Sequence, residues 1–308
     1  KTLAEKKGHG LQRAVMFALV RAWAKALRTT DEPRATGARR ASDSVFFAIE
    51  EPELFLHPHA QRQLFSSLVE IAASPDHQVF LSTHSTHFVD LEHYRRIAIV
   101  AKPSAQRGTE VRQCTRELFA GDDAADRRRR LHMASWINPD RGELFFARKV
   151  ILVEGETEKA VFPFLAQKIG CFDPDVTIID CGSKHNLPLY IEILNAFRVP
   201  YCVVHDEDPL PEPIPPDWTK DKREARQRTF EMNETIAGAV DPQLGSIEVL
   251  SPDFEGVSGV PKHQVEKKGK ALAALDHFEK LDANEVPDRL AQAVRNAYQT
   301  KKLEGDRS

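Results

Sequence analysis

The sequence predicts an α/β protein built on mostly parallel sheets, and three observations predict it. Short unbroken apolar runs recur along the chain, among them Phe46–Ile49, Val150–Val153 and Tyr201–Val204. Stretches with helical spacing of apolar residues separate these runs. Several runs end abruptly at acidic residues, at Glu50, Glu154 and Asp206. A run apolar at every position suits a strand buried on both faces, as in a parallel sheet with helices on either side.

Taken in order, residues 11–28 carry a helical apolar pattern, and the polar stretch 29–44, with Pro33 and Gly37, reads as a loop. Ser44–Ile49 reads as a buried strand, 59–73 as a helix, and Val79–Ser82 as a second short buried strand. Ile97–Val100 continues the alternation, whereas 101–147 is mixed and charged, without a clear period. A second α/β pattern begins near Arg148. Lys149–Val153 is a strand ending at Glu154-Gly155, and Thr157–Ile169 is a helix. Val176–Ile179 is a strand running into the turn Asp180-Cys-Gly182, and 187–197 is a helix. Tyr201–Val204 is a strand ending at His205-Asp206-Glu207-Asp208. The proline-rich 209–217 is a loop and 221–239 a helix; Ile247–Leu250 is a strand ending at Ser251-Pro-Asp253-Phe-Glu255. Helices near 269–281 and 286–302 complete the pattern.

The bulk numbers bound the function. The chain has 308 residues, room for about two domains, with 41% hydrophobic and 29% charged residues. The net charge of −3 gives no global attraction for nucleic acid, so any such contact needs local basic patches, such as Arg127–Arg130, or bound metal. The four cysteines, Cys114, Cys171, Cys181 and Cys202, form no C-x-x-C pair, which argues against a zinc site or a disulfide scaffold and fits a reducing cytoplasm. No apolar stretch is long enough to span a membrane. The first residue is Lys1, and the sequence opens almost directly in a motif, so an upstream part of the first domain is expected to be missing.

In parallel sheets ligands sit beyond the carboxyl ends of the strands. Glu154, Asp180, Asp206 with Asp208, and Asp253 with Glu255 all stand there, and converge if the strands are neighbours. Glu158 lies one turn into the following helix and can face the same volume. Clustered carboxylates repel and raise one another's pKa unless a cation neutralises them; oxygen ligands suit Mg²⁺ or Mn²⁺. One or two such ions can bind a phosphodiester and promote its hydrolysis. The plainer alternative, a solvated or helix-capping acid, suits Asp180 better than the rest, because Cys-Gly-Ser after it makes a turn.

Val150-Ile-Leu-Val-Glu154-Gly-Glu-Thr-Glu158 resembles the opening motif of Toprim domains, Val203-Val-His-Asp206-Glu-Asp208 resembles their D-x-D motif, and Ile178-Ile-Asp-Cys-Gly-Ser183 the glycine-bearing strand between them. Upstream, Phe46-Phe-Ala-Ile-Glu50-Glu51 resembles an ABC-ATPase Walker B strand, Leu56-His-Pro-His-Ala-Gln61 the D-loop region, Ser82-Thr-His84-Ser the switch histidine, and Gly8-His-Gly-Leu-Gln12-Arg13 a degenerate signature loop. In that order the motifs resemble OLD-family (overcoming lysogenisation defect) endonucleases: the end of an ABC-type ATPase domain over 1–147, then a Toprim nuclease domain over 148–308 with further helices.

The resemblance implies ATPase-coupled, Mg²⁺- or Mn²⁺-dependent DNA cleavage with two ions, a homodimer, and in some relatives phage defence or repair beside a superfamily 1 helicase. It implies that Glu154, Asp206 and Asp208 hold metal, that Glu158 with Asp253 or Glu255 completes a second position, with Glu156 a weaker candidate, and that Lys270, or else Lys268, faces the scissile phosphate. Glu50 would stand at the magnesium-associated acid, where Asp is usual, Glu51 at the general base, and His84 at the switch. No G-x-x-x-x-G-K-[ST] loop occurs in the 308 residues, so ATP hydrolysis is expected only of the full-length protein. A non-catalytic DNA scaffold of the recombination-mediator type is the alternative. A topoisomerase would need a nucleophilic tyrosine in a motif, and a primase a zinc module; neither is found.

Overall fold

A computed structural model describes residues 45–102, 108–118 and 139–299, together with isolated positions 15, 18, 19, 22 and 125. The expected helix at 11–28, the loop at 29–44, the signature-like residues 8–13 and the Arg127–Arg130 patch lie outside, or almost wholly outside, the described residues. The chain divides into two compact units, Lys1–Asp90 and Leu91–Ser308.

In the first unit β1 (Val45–Glu50) and β2 (His77–Ser82) pair in parallel, joined through α1 (Pro58–Ala72). Pro58 starts α1, where its missing N–H costs nothing. Leu64, Leu68 and Ile71 of α1 and Phe88 form a small core against which Phe47, Ile49, Val79 and Leu81 pack. The strands are therefore not buried on both faces as their sequence predicts. Exposure alternates along each, and Phe46 and Phe80 stand open on the face away from α1, 5.2 Å apart between ring centroids. Among the described residues only α1 covers this pair of strands, so only one face is dry.

In the second unit Ile97–Val100 does not continue the alternation. β3 (Ala98–Ala101) pairs antiparallel with β4 (Glu110–Gln113), a strand that the charged 101–147 stretch concealed. The Arg112 guanidinium donates to the Arg198 carbonyl at 3.0 Å, tying this hairpin to the segment that leads into Tyr201. The compact unit thus begins well ahead of residue 148, where the motifs begin.

The main sheet has the order β6-β5-β7-β8, all parallel: β5 (Lys149–Val153), β6 (Val176–Asp180), β7 (Tyr201–Asp206) and β8 (Gly245–Leu250). The connecting helices are α2 (Glu156–Lys168), α3 (Leu187–Phe197) and α4 (Lys220–Ala239). Among the described residues four more helices come after β8: α5 (Phe254–Ser258), α6 (Lys262–Lys268), α7 (Lys270–Glu279) and α8 (Asp288–Tyr298). Ile151, Val153, Cys202, Val204 and Leu250 share a core with apolar side chains of α2, α7 and α8. The alternate set, Val150, Leu152, Tyr201 and Val203, is equally buried, and α3 packs against β5. Both faces are covered, which is why these runs are apolar throughout.

The chain leaves β5 toward β6 on one side and returns to β7 on the other. The reversal of direction lies between β5 and β7, at the carboxyl ends of both, and a crevice for ligands opens at such a point. Among the described residues no helix is long and apolar enough to cross a membrane.

Candidate metal centre

Glu154 follows the last residue of β5 and Asp206 is the last residue of β7, so both acids stand at the crevice. Each offers an oxygen that lies, with one from Asp208, within a common 4.8 Å. The Asp206 backbone N–H donates to Glu154 Oε1 at 2.8 Å, and Asp206 Oδ1 in turn accepts the Phe254 N–H at the start of α5, also at 2.8 Å. Asp208 has φ 57°, in the left-handed region, where Asp is one of the few tolerated non-glycine residues; its N–H is held by the Pro252 carbonyl at 2.9 Å. Glu207 between them turns away and hydrogen bonds to Ser251. The D-x-D spacing thus delivers two acids to one side and sends the middle residue elsewhere.

Two basic residues that the sequence motifs do not single out organise the cluster. Lys184, in the turn after β6, is 2% exposed, and its ammonium donates to the carbonyls of Asp206 and Glu207 and to Asp208 Oδ2. It reaches past the end of the intervening β5 to do so. Arg226 of α4 donates to Asp208 Oδ1 at 2.7 Å. The signal for Lys184 was a lysine directly after the glycine turn, since Gly182 adopts φ +78° and Ser183-Lys184 lead from it back toward the sheet.

The electrostatics are those of an acid cluster short of positive charge. Burial first, then the neighbouring Glu154, Glu158, Asp208 and Glu255, pushes the Asp206 carboxyl up to about 8. Burial pushes Glu154 up to about 7, against the lowering effects of the Asp206 N–H and the Lys184 ammonium. Glu158 is also raised, chiefly by burial. A divalent cation would supply the missing charge, and three carboxylates of this spacing are a donor set that suits one.

The remaining expected ligands divide. Glu158 accepts the Gly155 N–H at 3.2 Å and so caps its own helix, yet it and Glu255 lie close enough to Asp206 to raise its pKa. Asp253 Oδ1 accepts the Gly256 N–H at 2.7 Å and serves as the N-cap of α5; Glu255 is the acid of that strand end that turns toward the cluster. Glu156 sits in the first turn of α2, outside the close group of three. Lys270 pairs with Glu255, and Asp206 and Glu158 stand near enough to favour its charged form; Lys268 pairs instead with Asp276. Asp180 is taken by Arg141, whose Nη2 lies 3.1 Å from Oδ1 while its Nε donates to the Asp180 carbonyl at 2.7 Å.

In the first unit, register places Glu50 beside Ser82. Glu51, with φ 43°, stands just beyond β1, and His84 Nε2 lies 3.7 Å from its Oε1. His57 precedes Pro58 as the N-cap of α1 and stacks on His59.

A parallel sheet with Glu154 at one strand end and Asp206-x-Asp208 at its neighbour across the switch point defines a Toprim-type domain. Residues 145–208 match the family described as overcoming lysogenization defect protein-like, TOPRIM domain, and residues 1–89 match the AAA ATPase domain family. In chain order, an AAA-type ATPase segment and an OLD-like TOPRIM domain are thus what these two stretches are similar to. The chain is similar to an OLD nuclease of Thermus scotoductus, 28% identical over 251 residues, covering 80% of this chain and 46% of the relative. It is also similar to the Old nuclease of Escherichia phage P2, 30% identical, covering 65% of this chain and 33% of the relative. A third relative is the endonuclease GajA of Bacillus cereus, 25% identical, covering 53% of this chain and 26% of the relative. The chain thus spans less than half the length of each of these relatives.

Proposed function

We propose that this chain cleaves or nicks DNA as a Mg²⁺- or Mn²⁺-dependent endonuclease. The observation that carries the reading is the convergence of Glu154, Asp206 and Asp208 within 4.8 Å at the switch point of the sheet. These three would hold one ion, and Glu158 with Glu255 a second. Bound ions would supply positive charge against the phosphodiester and lower the pKa of an attacking water. Lys184 and Arg226 hold Asp208 from both oxygens, and the Asp206 N–H orients Glu154, so the acids are positioned before any ion arrives. Lys270, partly exposed and paired with Glu255, is free to carry its ammonium to a phosphate oxygen and to stabilise its charge. Glu50, Glu51 and His84 are assigned to the ATPase segment, and a homodimer acting in phage defence or repair, beside a helicase, is the wider role.

The test is nicking of supercoiled plasmid by this chain with EDTA, Mg²⁺, Mn²⁺ or Ca²⁺, beside Asp206→Asn. Metal-dependent nicking absent from the variant supports the reading. A folded protein that binds Mn²⁺ and DNA but cuts nothing would leave a non-catalytic scaffold.

A further inference from the structure

Beside the acid cluster lies a groove of about 570 Å³, lined by Pro209, Pro211, Trp218, Lys222, Arg226 and Thr229. One wall is the proline-rich stretch directly after Asp208; the other is the first part of α4. The groove is continuous with the metal centre through Arg226, which donates to Asp208 Oδ1 at 2.7 Å and to the Pro209 carbonyl at 3.4 Å. The Trp218 indole is half-buried, with the exposed Lys222 ammonium 4.8 Å above its ring centroid. From Lys220 to Arg228 the helix has five basic and two acidic residues, in a chain whose net charge is −3. Here is a local basic surface of the kind that a near-neutral nucleic-acid-binding protein needs.

We propose that this groove receives an unstacked base of the DNA strand, one nucleotide from the phosphate held at the acids. The inference rests on the nuclease reading for its substrate. Aromatic faces bind any base by stacking, and a cation beside the ring takes the adjoining phosphate. The base lies on the indole, and the Lys222 ammonium exchanges its ring contact for a charge-assisted bond to the phosphate. Prolines at 209, 211, 213, 215 and 216 stiffen the opposite wall, so little order is lost on binding. A strand anchored here is a single strand or a frayed end, because a base inside a duplex presents no free face.

The test is fluorescence anisotropy of this chain with labelled DNA in Ca²⁺, comparing a duplex carrying a single-stranded overhang with a blunt duplex. The intact protein prefers the overhang substrate. Trp218→Ala weakens overhang binding on the order of tenfold and leaves blunt-duplex binding unchanged, while Trp218→Phe, which keeps a stacking face, stays within about twofold. Lys222→Glu, at an exposed position that does not threaten folding, weakens both and reduces the slope of log affinity against log salt by about one. Overhang binding by Trp218→Ala and Lys222→Glu equal to that of the intact chain overturns the inference; Asp206→Asn separates it from the nuclease reading. Plasmid nicking that needs Asp206 while both groove variants bind normally leaves the nuclease and removes the groove. Groove variants that lose overhang binding in a chain that never nicks leave the groove and remove the nuclease.

Discussion

Glu154 and Asp206 are joined through the backbone: the N–H of Asp206 donates to Glu154 Oε1 at 2.8 Å, so the acid after β5 orients the strand end that bears the second acid. Glu154→Gln keeps an acceptor for that N–H and removes the charge. The variant is expected to keep its metal-free stability at neutral pH to within about 1 kcal/mol, because one hydrogen bond of this kind contributes about that much and is preserved. Mn²⁺ affinity should fall at least about tenfold, since one of the three proposed anionic ligands is gone. Urea unfolding and a calorimetric Mn²⁺ titration on the same samples check both halves.

The acid cluster sets a pH dependence with a definite sign. Glu154 and Asp206 titrate at about 7 and about 8 when folded, above their ordinary values, so the folded chain holds more protons than the unfolded chain between those limits. Their stabilising contribution is complete below the ordinary carboxylate range and is lost as pH rises through about 7 to 8. Urea midpoints in EDTA should therefore fall between about pH 5 and pH 8.5, and Mg²⁺ should restore stability at the alkaline end by replacing the lost protons. A midpoint that rises across this range in EDTA contradicts the account.

Lys184 gives three acceptors of the Asp206–Asp208 stretch their buried donor. Lys184→Met fills similar space without the charge and takes the buried ammonium from Asp208 Oδ2, at a cost of about 3 kcal/mol, while the carbonyls of Asp206 and Glu207 keep the His205 ring and the Asn233 amide as partners. Part of that loss should return on adding Mg²⁺, because a bound cation replaces the ammonium's charge. A Lys184→Met chain as stable as the parent in EDTA would place the ammonium outside the cluster.

Arg141 and Asp180 form a nearly buried pair, with side chains 10% and 8% exposed. Arg141→Met removes the guanidinium that faces the buried carboxylate and should cost about 3 kcal/mol, whereas removing both charges together costs less than the sum of the single changes. A double-mutant cycle with Asp180→Asn measures the difference.

Much of the fold was readable because β5, β7 and α3 carry local signals. Unbroken apolar runs and helical spacing hold wherever the segment is covered on both sides. The same reasoning overstated β1 and β2, where among the described residues one face only is covered, and missed β4, whose Glu110 and Arg112 are partly buried and whose intervening Val111 is exposed. Half-covered strands with long polar side chains leave little apolar trace in sequence. Among the candidate site residues, spacing alone separated neither Asp253 from Glu255 nor Lys268 from Lys270. In each pair one member is spent on its own surroundings, Asp253 as a helix cap and Lys268 on Asp276, and the other turns to the cluster.

Residue order was enough to say which segments of the main sheet become strands and that acids stand at their carboxyl ends, because both depend on side chains close together along the chain. Which strands become neighbours depends on how the whole chain packs. The order β6-β5-β7-β8 places Glu154 beside Asp206, lets Lys184 cross from β6 to the D-x-D stretch, brings Arg226 from α4 onto Asp208, and assigns Asp180 to Arg141. Those contacts join residues 18 to 52 positions apart, and such pairings form only when burial of both sheet faces selects one arrangement of the strands.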